Sequence, residues 1–63
     1  MATESEVWQS AWIIAEEYGA EGVDFAAKMA EGFESGGKLD AQKVWLSIMQ
    51  KVEVLTAEAS RAH

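Results

Sequence analysis

Apolar residues recur at helical spacing three times along this chain, and glycines separate the three runs. The first holds Val7, Trp8, Ala11, Trp12, Ile14, Ala15 and Tyr18, an arc of roughly 160° at about 100° per residue. The second holds Val23, Phe25, Ala26, Ala27, Met29, Ala30 and Phe33, spread over roughly 200°. Val44, Trp45, Ile48, Met49, Val52, Leu55 and Ala59 form the third, over roughly 140°. Proline is absent and no two-residue alternation persists, so the expected class is all-α.

Local signals set the boundaries. Thr3-Glu4-Ser5-Glu6 is a capping box, whose hydroxyl accepts from the Glu6 amide while the Glu6 carboxylate reaches back. Gly19 and Gly36-Gly37 can adopt the left-handed conformation that ends helices. Asp40 reads as an N-cap, with Leu39 and Val44 placed to close a hydrophobic staple, and Arg61 suits the negative pole at the far end. Helices are therefore expected over about 3–18, 20–34 and 40–60. The tail Ala62-His63 is expected to fray. Connections this short give a three-helix bundle or an orthogonal three-helix array, one domain over 1–63. Trp12 and Trp45 are expected in its core. Three alanines on the second helix would let neighbours approach closely.

A chain of 63 residues buries only about 60% of the surface its unfolded form exposes. Small domains often compensate with disulfides, a metal or a partner chain. Cysteine is absent, which removes disulfides and thiolate metal sites and points to a partner chain. Eleven acids against five bases leave a formal charge of −6. Residues 1–27 carry six of the acids and no Lys or Arg. Such a field repels phosphate backbones and anionic lipid, so nucleic acid and membrane surfaces are not expected partners. The longest apolar run, Ala11 to Ala15, is too short for a signal-peptide core or a membrane span. A cytoplasmic location is the expectation.

Taken together, Trp12-Ile13-Ile14-Ala15…Tyr18-Gly19, Phe25-Ala26, Gly37…Trp45-Leu46-Ser47-Ile48, Val52 and Leu55 resemble a family of short uncharacterised bacterial all-helical proteins. The shared pattern is Trp-x2-Ala-x3-Gly, a middle helix, a Gly-rich turn, then Trp-x2-Ile and a terminal Leu. The turn here reads Gly37-Lys38-Leu39-Asp40, where the family commonly has Gly-Asp. The resemblance implies a small helical fold and carries no activity, cofactor or site residue.

Residues with catalytic chemistry are sparse. The only histidine, His63, closes the chain, and the serines Ser10, Ser35, Ser47 and Ser60 lack a nucleophile motif. Gly32…Gly36-Gly37-Lys38 fails the spacing of a phosphate loop. Glu16 and Glu17 are adjacent and diverge on a helix, while Glu21/Asp24 and Glu31/Glu34 share faces without a ligand partner. No enzyme activity, cofactor or metal is expected. Glu16 and Glu17, like Glu31 and Glu34, oppose the dipole at a helix end. With Glu21 and Asp24, the first pair would form an acidic knob.

The apolar excess is the stronger lead. Ile13, Leu46 and Val54 fall off the core arcs, Trp8 sits on a shoulder, and Phe25 and Met29 belong to the widest arc. These six are the interface candidates. The expected function is a protein–protein interaction module, dimeric through its first two helices, with a scaffolding or regulatory role. The alternative is an acidic inhibitor or nucleic-acid mimic, with Glu16, Glu17, Glu21 and Asp24 occupying a basic groove on a partner protein. A carrier of a small apolar ligand lined by Met29 and Met49 ranks third.

Overall fold

In the computed structural model, which describes residues 3–61, the chain is all-helical. Helix α1 spans Glu4–Tyr18, a 3-10 turn follows at Gly19–Glu21, α2 spans Gly22–Ser35, and α3 spans Leu39–Arg61. Ala62 and His63, including the fraying expected there, lie outside the described residues, as do the side chains of Ser60 and Arg61.

The expected bundle of three separate helices is corrected at the first junction. Helical turns run unbroken through residues 4–35, so the chain makes two helical stretches, a bent arm and α3. The reason is visible at Gly19, whose φ of 54° and ψ of −125° bend the backbone without releasing it. Its N–H still donates to the Ala15 carbonyl, and the Gly22 N–H donates to the Gly19 carbonyl. A glycine that ends one helix here also starts the next turn.

The first helix opens where the capping box lies. The Glu6 N–H donates to the Thr3 hydroxyl at 3.2 Å. The return contact differs from the motif, because the hydroxyl donates to the Glu6 carboxylate, also at 3.2 Å.

At the second junction the turn is complete and very short. Gly37, with φ of 75°, donates to the Glu34 carbonyl at 3.0 Å, and Lys38 donates to the Phe33 carbonyl at 2.8 Å. That pair of bonds is a Schellman motif, which satisfies the last carbonyls of α2. The Lys38 carbonyl then accepts from the Gln42 N–H at 3.0 Å. The residue that closes α2 therefore caps α3. Asp40, expected as the cap, falls within the first turn of α3. Leu39 is helical and exposed rather than placed before the cap, so the staple with Val44 loses its geometry.

Contacts fix the directions. Gly22 lies at Val52, Phe25 at Trp45 and Glu34 at Gln42, so α2 runs antiparallel to α3. Helix α1 crosses from Lys51, beside Glu4 and Trp8, toward Leu55 and Ala59, beside Trp12. Both arms pack mainly on α3 and little on each other.

The buried apolar residues are Val7, Ala11 and Ile14 from α1, Ala26 and Ala30 from α2, and Ile48 and Val52 from α3. Val52 is the largest side chain that is fully buried. Alanine and glycine at the crossing points draw the backbones close and leave no room for an indole between them. This corrects the expectation for Trp12, which is 55% exposed. Trp45 is half-buried and packs on the rim of the core. Tyr18 and Ala59, also placed on core arcs by spacing, are exposed.

Candidate interaction surface

The 23 residues of α3 extend about 34 Å at 1.5 Å per residue, well beyond the 14 residues of α2. Past Val52 its apolar face borders the second half of α1 and the corner. There an open groove of about 380 Å³ forms between Trp12 and Ala15 of α1, Gly19 and Ala20 of the corner, and Leu55 and Ala59 of α3. Thr56 also lines it, but its hydroxyl donates back to the Val52 carbonyl at 2.9 Å. Its polar atom is satisfied within the helix, so the groove gains a methyl and little polarity. Glu16 stands on the rim.

A second open groove, of about 350 Å³, follows α2 and the turn after it. Met29 and Phe33 line it, Gly32 and Gly36 leave it open, and Lys28 and Lys38 flank it.

The six interface candidates do not converge on one face. Trp8 is 41% exposed and is engaged by Lys51, whose ammonium lies 5.2 Å from the ring centroid. The same ammonium is 2.9 Å from a Glu4 carboxylate oxygen and 3.1 Å from the Ser47 hydroxyl. Phe25 is half-buried in an aromatic stack, 4.4 Å from Tyr18 and edge-on to Trp45 at 6.0 Å. Met29 belongs to the α2 groove. Ile13 is exposed on α1. Leu46 and Val54 are exposed on α3, roughly 120–160° from Val52 by helical phase.

All four acidic candidates, Glu16, Glu17, Glu21 and Asp24, are exposed. Asp24 forms an i,i+4 ion pair with Lys28 at 3.2 Å, which draws a cation into the region read as a knob. Among the described residues no polar or charged side chain is buried, and no group of three acidic, His or Cys residues is placed to hold a metal ion. No described helix is long and apolar enough to cross a membrane.

Trp12 and its groove were missed by the sequence reading. The available signal was phase, since Trp12 lies about 100° from Ala11, at the edge of its arc. No protein-family model matches this chain, and no curated protein or solved structure matches it either.

Proposed function

We propose that this protein works by contact, as a small helical interaction module that self-associates and scaffolds or regulates a partner. The reading involves no catalytic step. It keeps the cytoplasmic location and the kinship with short bacterial helical proteins that the tryptophan and glycine motifs suggested.

Surplus surface is the observation that supports it. The chain exposes 4589 Å², whereas a monomer of 6.9 kDa is expected to expose about 4,000 Å². The Cα radius of gyration, 11.6 Å, likewise exceeds the roughly 10.6 Å expected at this length. Large apolar side chains stand on that surface, with Trp12, Ile13, Tyr18, Leu39 and Val54 all exposed. Association is the usual way for so small a domain to recover that burial.

The test is solution mass by light scattering behind a sizing column, at low and high salt. A species of twice 6.9 kDa that persists in high salt supports apolar self-association. A monomer at every concentration up to about 1 mM, equivalent to only about −4 kcal/mol of association, overturns it. The second reading, an acidic inhibitor, draws on the exposure of Glu16, Glu17 and Glu21. It expects binding to a basic partner that weakens steeply with salt.

A further inference from the structure

We infer that Gly19 is the hinge of a helix exchange: two copies pair by straightening this corner, and each α1 packs on α3 of the other copy. This rests on the self-association reading and assigns its surface, the buried face of α1 that carries Val7, Ala11 and Ile14.

That surface and its partner are already in contact within one chain. Helix α1 packs on α3 and little on α2, so it can leave as a unit while α2 stays on α3. Exchange then rebuilds the same α1–α3 contact between chains, with the same residues buried, and needs no new complementarity. A reciprocal trade is two-fold and closed, so assembly stops at the pair.

The corner suits a hinge. From Glu4 to Ser35 the chain is helical on both sides of one three-residue 3-10 turn, and it holds no proline. Gly19, at φ 54° and ψ −125°, is the one residue of that stretch with a positive φ. Returning it to helical angles makes residues 4–35 a single helix of about 48 Å at 1.5 Å per residue. No side chain caps the start of the 3-10 turn or of α2. Straightening therefore breaks no side-chain cap, and it continues the hydrogen-bond ladder of α1 into α2.

The other turn is held differently. Gly37 also has a positive φ, 75°, but there the Schellman bonds and the Lys38 cap close the connection. The Gln42 amide adds a hydrogen bond to the Glu34 carboxylate at 3.2 Å, from α3 to α2. Short connections under conformational constraint are where exchange arises, and only the one at Gly19 joins arms that barely touch.

The two glycines supply a test. A Cβ meets nothing within 4 Å at either position, so alanine acts there through backbone conformation alone. Gly19→Ala penalises the bent chain and favours the straight one, and each dimer straightens two corners. It should tighten the dimer by about 30-fold or more in light scattering. Gly37→Ala strains the same turn in monomer and dimer, so it should lower the melting temperature and leave the dimer constant unchanged. The deciding readout needs no variant. A Cβ on Gly22 would lie 2.9 Å from a Val52 γ-methyl and 3.3 Å from an Ile14 γ-methyl, which puts these methyls of α3 and α1 close together. In a dimer refolded from isotope-labelled and unlabelled chains, a filtered NOE between them should run from one chain to the other. A dimer whose NOE stays within one chain overturns the exchange and leaves self-association standing. A Gly19→Ala dimer no tighter than the wild type overturns the hinge. A wild type that stays monomeric overturns both readings. The NOE decides the matter even if Gly19→Ala fails to fold.

Discussion

Between Val44 and Val52 the apolar face of α3 is covered by both arms of the bent stretch, and Ile48 and Val52 are buried there. From Leu55 to Ala59 the same face looks into an open groove, and Ala59 is exposed. Nothing in the hydrophobic pattern of α3 separates the two halves, since both repeat apolar residues at helical spacing. Helix length separates them. The 14 residues of α2 cover one part of a 23-residue helix and leave the other to α1 and the corner. The covered half holds the fold, and the uncovered half offers surface.

Substitutions at Val52 and Leu55, one in each half, test that division, and they carry the largest expected effect. Val52 is fully buried, so Val52→Ala should cost about 2 kcal/mol, from lost transfer energy and the cavity left behind. Against a total stability of about 3–9 kcal/mol for a domain this size, that is a large fraction. Leu55→Ala, on a half-buried residue, should cost about 1 kcal/mol or less in dilute protein. Urea denaturation of both variants at low and high concentration measures the difference. A Leu55→Ala cost that grows with protein concentration means that a second copy closes the open half. Equal costs in dilute protein would erase the distinction between the halves.

Much of this arrangement was legible in the sequence. The helical class, the capping box at Thr3 and the glycines at both turns follow from local rules that act over four or five residues. The rest depends on how the helices cross. An arc of roughly 160° is wider than one contact face can bury, so its edge, where Trp12 lies, was the part periodicity left open between core and surface. Close approach through Ala11 and Ala26 decides it, because a small contact point excludes the indole. Gly22, which fell inside the expected second helix with no role assigned to it, is a buried pivot. Asp40 was misplaced by two residues because a Schellman turn that merges with the next cap leaves no room for a separate one.

That pivot supplies the next comparison, between two glycines of α2. A Cβ on Gly22 would lie 2.9 Å from a Val52 γ-methyl and 3.3 Å from an Ile14 γ-methyl. Both neighbours are buried and β-branched, so neither yields easily. Gly22→Ala should therefore destabilise by about 1 kcal/mol, after the gain in helix propensity offsets part of the overpacking. A Cβ on Gly32 meets nothing within 4 Å, and Gly32→Ala should stabilise by about 0.5–1 kcal/mol. Thermal melts of the two variants should move in opposite directions. A Gly22→Ala protein that melts higher than the wild type would show that the three segments do not pivot there.

The smallest expected effect concerns Trp8 and Trp12, two exposed indoles on one helix with different surroundings. Lys51, only 14% exposed at its side chain, reaches Glu4, Ser47 and the face of Trp8 together. This ties the first turns of α1 to α3, whereas no cation is recorded over Trp12. Lys51→Met keeps the aliphatic stem and removes the charge. It should cost about 0.5–1 kcal/mol, because Glu4 is largely exposed and its ion pair is screened while the cation–π contact adds a similar increment. Raising salt should weaken the wild type toward the variant. The loss should fall on fold stability, with the dimer constant unchanged. A Lys51→Met variant that keeps full stability but shifts its dimer constant would place Trp8 in the surface of self-association.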